Sequence, residues 1–204
     1  MGLLSGSVSY LRYRVSDGVP GSIKDFVLAR LKEFSFREID QATLTEKTVG
    51  WVSAENMAST FYDDLHFAKD PYLVFSLRID VRRIPGLARK AAQLREELKF
   101  KKSTGQERLR KQDKEMIKDE VWQALIKKAL PAPAVYDVCW NISNDTVLFF
   151  STSKAASDEF SSFFYRSFGI KLVPMGPAFL AGGPGAEQNG NSDPITPMLD
   201  YADE

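Results

Sequence analysis

The sequence contains very little of the two residues that most often build metal and nucleophile sites. Its one cysteine, Cys139, excludes an intramolecular disulfide and is typical of a reducing cytoplasm. With a single histidine, His66, there are too few ligands for a zinc site. A catalytic Cys/His pair would need these two residues, but Cys139 lies within a predicted strand between aromatic neighbours, where a thiol is usually a packing residue.

Several longer patterns are also missing. No apolar run is long enough to span a bilayer and no signal peptide precedes the first strand, so we expect a cytoplasmic protein without membrane contact. The glycine run 182–185 is followed by neither a helix nor Lys-Ser/Thr, so it is not a phosphate-binding loop.

One loose acidic cluster remains as a candidate metal site. Carboxylates of this kind hold the divalent cations of nucleases, and the cluster comprises Asp63, Asp64, His66, Asp70 and Asp80. Its spacing matches no ligand template, and acidic loop residues are usually solvated. We therefore expect no enzyme activity, no metal and no cofactor.

What the sequence does have is charge of one sign concentrated in one stretch. Residues 82–111 carry eleven Lys and Arg against three Glu, a net +8. Because the whole chain is neutral, the remainder carries −8. This asymmetry indicates a polyanionic partner, although a charge run of this kind can also be a solvated helix face.

The same stretch predicts a basic helical hairpin over residues 82–130. Pro85 suits a first helical turn, and the chain breaks at 103–105. Leucines and alanine at i, i+4, i+7 and i+11 predict a narrow seam that pairs with a second seam after the break; these residues are Leu87, Ala91, Leu94 and Leu98, then Leu109 and Met116. A broader apolar line begins at Ile117, so only the later turns of the second helix should pack on the body. The earlier turns should project as a charged arm.

The remaining patterns predict small strands and helices on both sides of this arm. We expect an N-terminal α+β unit over 1–81, the arm over 82–130, a second ββαβ unit over 131–175 and a flexible tail over 176–204. In the first unit, 65–68 and 72–81 should form a hairpin, and the apolar residues of 72–81 alternate as in a half-buried strand. In the second unit Ser153 should cap a helix that ends at Gly169 and has a core stripe of Phe160, Phe163, Phe164 and Phe168. The tail ends on an apolar and acidic stretch, 198–201, typical of the start of an amphipathic segment. The predicted fold class is α+β, with antiparallel sheets, packed helices and a projecting basic helical hairpin.

Short motifs in this order resemble a known family. They are Gly50-Trp51-Val52, Lys118-Asp119-Glu120-Val121, Ser153-Lys154-Ala155-Ala156, Phe168-Gly169 and Val173-Pro174. Over about residues 45–175 the chain resembles the bacterial recombination-associated RdgC family. The resemblance implies a nucleoid-associated protein that binds double-stranded DNA with little sequence preference, forms ring-shaped dimers with a basic inner surface, and modulates recombination.

Carried over to this chain, the resemblance makes the basic positions of the arm candidate phosphate contacts. They are Arg89, Lys90, Arg95, Lys99, Lys101, Lys102, Arg108, Arg110, Lys111, Lys114 and Lys118. Two departures bear on assembly: family chains continue further and use that part to close the ring, and this chain has Leu130 near a position where the family places an aromatic residue.

The residues themselves leave two questions open. Phe100, near the arm tip, is either a contact residue or a cap on the hairpin, and with Leu130 it is a candidate homodimer contact. The heptad spacing of the seam also permits a different class of function, a protein-interaction module that uses the arm as a coiled-coil-like handle.

Overall fold

The computed structural model describes residues 8–16, 22–60, 62 and 67–176. Within them the strands are β1 Leu11–Val15, β2 Lys47–Val52, β3 Ala68–Lys69, β4 Tyr72–Arg82, β5 Pro131–Asn141, β6 Thr146–Phe149 and β7 Leu172–Pro174. The helices are α1 Ile23–Glu33, α2 Gly86–Thr104, α3 Lys111–Lys128 and α4 Lys154–Phe168. The predicted α+β class is confirmed.

All seven strands belong to one antiparallel sheet. Its order is β2-β4-β5-β6-β1-β7, with β3 paired to the start of β4. The strands before and after the predicted arm are therefore neighbours in a single sheet. The longest ladder joins β4 to β5, from Tyr72 opposite Asn141 to Arg82 opposite Pro131. Helices α2 and α3 form the connection between these two adjacent strands.

One face of the sheet carries the main core. Alternate residues of the strands point to this face, where α1 and the phenylalanine-rich face of α4 cover them. Trp51 is fully buried at its centre and donates its indole N–H to the hydroxyl of Ser167 at 2.9 Å. The rings of Phe149 and Phe160 stack with centroids 4.3 Å apart. The aromatic content of the chain is thus concentrated between sheet and α4.

The other face of β4 is more buried than its alternating pattern predicts. Ser76, Asp80 and Arg82 are all buried there. Arg78 makes two 2.8 Å contacts with the carboxylate of Asp80, and its guanidinium lies 4.2 Å from the ring centroid of Phe36.

An irregular segment after α1 provides this cover. Arg82 donates at 3.0 Å to the carbonyl oxygens of Thr43 and of Asp40, which ties the segment to the end of β4. Gly50 permits the close approach, because a Cβ there would lie 2.2 Å from the Cα of Phe36. The segment has no periodic pattern, so the sequence did not predict the cover.

The ends of α4 lie where the sequence predicted them. Ser153 occupies the N-cap position, although its hydroxyl accepts no capping hydrogen bond, and Gly169 ends the helix in the left-handed conformation at φ 72°. The predicted flexible tail falls almost wholly outside the described residues, as do the glycine run 182–185 and the first part of the predicted strand 65–68.

Candidate nucleic-acid interface

The two arm helices form with well-defined ends. Pro85 is the N-cap of α2, and Gly105 ends the helix in the left-handed conformation at φ 68°. Ser103 and Thr104 donate their hydroxyls to the carbonyl of Phe100 at 2.9 and 2.7 Å. At the start of α3 the carboxylate of Asp113 accepts the backbone N–H of Arg110 at 3.2 Å. The break predicted at 103–105 is therefore the short connection after Thr104.

Burial is confined to the later turns of α3. Its buried residues are Ile117, Val121 and Ile126, whereas α2 has none. Burial within α3 therefore begins at Ile117, as the spacing predicted, although these three residues are not part of the main core cluster. The helices lie against each other, and a groove of about 290 Å³ between them is lined by Ala92 and Glu96 of α2 and by Glu120 and Ala124 of α3, among others.

The predicted pairing of two seams is wrong. The half-buried positions of α2 lie at 92, 93, 96, 97, 100 and 101. At 100° per residue, 92, 93, 96 and 100 lie on the side away from the leucine stripe, whereas 97 and 101 lie along one edge of it. Leu87, Leu94 and Leu98 are 85%, 51% and 59% exposed, and Met116 of α3 is 46% exposed. Instead of the predicted seams, Ala92 of α2 and Val121, Ala124 and Leu125 of α3 line the groove between the helices.

The candidate phosphate contacts are almost all free in solvent. Ten of the eleven are exposed and Lys101 is half-buried. Within the described residues only Lys99 has an ion pair, with Glu96 at 2.7 Å. Arg82, which the charge count of the arm included, is buried and holds the segment after α1. It is a structural residue.

The cations fall into two groups by helical position. Lys111, Lys114 and Lys118 follow one another at i, i+3 and i+7 on α3, which places them along one face over about 10 Å. On α2, Lys90 and Lys101 lie on one side of the exposed leucine stripe, and Arg95 and Lys102 lie on the other. Such surfaces attract polyanions because each cation can neutralise a phosphate without first leaving an internal partner.

Comparison with known proteins agrees with the sequence motifs. Residues 10–179 match the family model described as "Putative exonuclease, RdgC". The chain belongs to the RdgC family. The match begins well before the resemblance noted from the motifs and includes β1, α1 and the whole arm. Among curated proteins no match was found.

The two candidate dimer residues of this RdgC-family chain differ in exposure. Phe100 is half-buried at the tip of α2, which fits a cap on the hairpin at least as well as a contact. Leu130 follows α3 and is 78% exposed.

The described part of the chain offers few residues from which a nuclease site could be built. There, no group of three or more His, Cys, Asp or Glu side chains is placed to hold a metal ion. Asp63, Asp64 and His66 lie outside that part, and Asp80 is buried against Arg78. Burial raises the pKa of the Cys139 thiol, which disfavours the reactive thiolate.

One groove was not anticipated from the sequence. It has a volume of about 440 Å³ and lies where β4 and β5 approach the start of α4, lined by Lys47, Arg83, Tyr136 and Glu159, among others. Lys47 and Glu159 form an ion pair across it. Its residues are far apart in the sequence, so no local pattern could identify it.

None of the described helices is both long enough and apolar enough to cross a membrane.

Proposed function

We propose that this RdgC-family protein binds double-stranded DNA without sequence specificity and modulates recombination on the bacterial nucleoid, in the cytoplasm. The observation that carries the proposal is the exposure of the arm cations. Ten of the eleven candidates are exposed, and nearly all lack an internal ion pair among the described residues. Binding would then release the counterions condensed on the DNA, which is a large source of affinity for a polyanion.

The chemistry of the arm accounts for the lack of sequence specificity. Phosphate contacts fix position on the duplex but carry no sequence information. Sequence readout needs side chains held against base edges. Among the described hydrogen bonds, the ammonium of Lys99 is held by Glu96, and the other arm cations have few such restraints. Two unrelated duplexes should therefore bind with affinities within a few-fold of each other.

We propose binding rather than cleavage, although the family description includes the word exonuclease. The nucleophilic and metal-binding candidates of the described chain are buried, paired or scattered. End-labelled linear duplex incubated with the protein and Mg²⁺ or Mn²⁺ should stay intact. Shortening of the duplex that is lost in Asp64→Ala would contradict this part of the proposal.

Fluorescence anisotropy tests the central claim. Two labelled duplexes of equal length and unrelated sequence are titrated with the protein at several salt concentrations between 50 and 200 mM. We expect equal affinities within a few-fold and a straight, steep fall of log affinity with log salt. A flat salt dependence, or strong preference for one duplex, would refute the proposal.

A second candidate function is favoured by the exposed leucine stripe of α2. A stripe of this kind permits the protein-interaction module, with the arm as a handle for another protein. Charge reversal separates the two functions. Changing Lys101, Lys102, Arg108 and Lys111 to Glu should abolish DNA binding under the first and leave association through the leucines intact under the second.

A further inference from the structure

The leucine stripe of α2 is an apolar surface without a partner among the described residues. Leu87, Leu94 and Leu98 are 85%, 51% and 59% exposed, with Ala91 between them on the same face. Three leucines in line on one helix form a contiguous patch rather than scattered surface residues. Contiguous exposed patches of this type usually mark a binding surface.

The charges beside the stripe define what fits it. Lys90 and Lys101 flank it on one side and Arg95 and Lys102 on the other, with Glu97 the nearest acidic residue. A second copy of the same stripe, laid antiparallel, would bring these cations close to one another and be repelled. The complementary occupant is an apolar segment that carries acidic side chains.

This chain contains such a segment outside the described residues. From 177 to 204 there are five acidic side chains and no Lys or Arg. The last twelve residues, DPITPMLDYADE, combine apolar Ile195, Met198, Leu199 and Tyr201 with four of the five carboxylates, at Asp193, Asp200, Asp203 and Glu204. The composition of segment 193–204 thus complements the stripe in both polarity and charge.

The segment can reach the stripe. The register places Pro174 of β7 level with Leu73 at the start of β4, and both strands run toward the end of the sheet from which α2 leaves. The distance from Gly176 to Arg82 follows from a rise of 3.4 Å per residue along the strands and a spacing of 4.8 Å between neighbouring strands, and it is about 30 Å. Leu94 on α2 lies about 20 Å beyond Arg82. The 19 residues from Gly176 to Ile195 span up to about 65 Å.

We propose that segment 193–204 docks on the leucine stripe of α2 in the same molecule and competes with DNA for the flanking cations. Leucines of the stripe would contact Met198 and Leu199, while the carboxylates pair with Lys90, Arg95, Lys101 and Lys102. The proposal deepens the proposed DNA-binding function and rests on it for its consequence. Since the arm carries two ligands of like charge at overlapping positions, each weakens the binding of the other.

Zero-length cross-linking tests the docking without DNA. A carbodiimide joins a carboxylate to a lysine only when the two are in contact. In the full chain we expect cross-links from segment 193–204 to Lys90, Lys101 or Lys102 in the monomer band. They should fall at least severalfold in Leu94→Gln/Leu98→Gln, which removes exposed apolar contacts, and persist in Leu44→Gln, which changes a leucine that is 39% exposed outside the arm.

Two cross-linking results would overturn the docking. One is the absence of links between the segment and α2. The other is links found only in covalently joined dimers, which would make a second copy the occupant.

DNA affinity then tests the competition. Neutralising the segment by Asp193→Asn, Asp200→Asn, Asp203→Asn and Glu204→Gln should raise affinity by about two- to tenfold at low salt and less at high salt. Unchanged affinity would contradict the competition. If neither protein binds DNA while the cross-links form, the proposed function fails and the docking stands; DNA binding without cross-links refutes the docking alone.

Discussion

Replacing three lysines of α3 by glutamine gives a quantitative test of how the arm meets DNA. Lys111, Lys114 and Lys118 lie along one face of α3 over about 10 Å, and phosphates on one strand of B-DNA recur every 3.4 Å of helix axis. One face can therefore meet three successive phosphates. All three lysines are exposed and have no ion pair among the described residues, so their replacement should leave the fold intact.

The expected magnitude follows from counterion release. Each phosphate contact contributes about 0.9 to the slope of log association constant against log salt, so the slope of the triple variant should be shallower by about 2.7. Between 50 and 200 mM salt, the wild-type affinity should therefore fall about 40-fold more than that of the variant. Anisotropy titrations with one labelled duplex measure both slopes.

A matched variant shows whether position or net charge matters. Lys32, Lys154 and Lys171 are exposed lysines outside the arm, and changing them to glutamine removes the same total charge. We expect their slope to stay within about 0.5 of the wild type, because distant charges are screened beyond about 10 Å. The assignment of these lysines as phosphate contacts would be refuted if the slope of log affinity against log salt changed by less than about one in the α3 variant. It would also be refuted if the slope changed equally in both variants.

Three further results are expected of the fold. Gly50→Ala should lower the melting temperature and reduce the free energy of unfolding by at least about 1–3 kcal/mol, because the added Cβ would overlap the backbone of Phe36. Gly86→Ala is the control, since no atom lies within 4 Å of its added Cβ, and its thermal unfolding followed by circular dichroism should be nearly unchanged. Burial raises the pKa of Tyr62, so the folded protein keeps this hydroxyl protonated at a pH where the unfolded chain loses the proton. The contribution of Tyr62 to the free energy of unfolding should therefore be present below about pH 10 and decline above it. Tyr62→Phe should remove this alkaline decline in urea titrations. Because Cys139 is buried, it should react with Ellman's reagent slowly in the native protein and fast in urea. A fast reaction in the native protein would contradict this burial.

Periodic patterns predicted the elements that bury one face. The phenylalanine stripe of α4 and the alternating residues of β4 each identify a core face without information from the rest of the chain. The same holds for Ile117, where the burial of α3 begins. Local spacing and burial agree for β4 and α4 because each contributes directly to the main core.

The failures have a common cause. The stripe from Leu87 to Leu98 is as regular as a core seam, but spacing shows only that a face is apolar and not what covers it. Burial of Asp80 and Arg82 depends on an irregular segment with no period to detect. The candidate cations were identifiable from the sequence, whereas their freedom from internal ion pairs required the packing of α2 against α3.

The limited number of cations on one arm also bears on assembly, and we predict a homodimer. One helix face offers about three to five phosphate contacts, and nonspecific binding of that size has a Kd of about 10⁻⁴–10⁻⁶ M at physiological salt. Two joined arms would gain about 10²–10⁴ in affinity through effective concentration alone. The contact should avoid the mutually repelling cations, which favours Leu130 at the base of the arm, or Phe100, over the charged faces.

Light scattering over a micromolar dilution series tests the homodimer. We expect twice the chain mass of 22.9 kDa at high concentration and a shift toward the single-chain mass on dilution. Leu130→Ser should move that shift to higher concentration and weaken DNA binding in parallel, because each arm then acts alone, while Leu44→Ser should do neither. A mass of one chain at every concentration, together with tight salt-dependent DNA binding, would show that a single arm suffices and that the count of contacts per arm is too low.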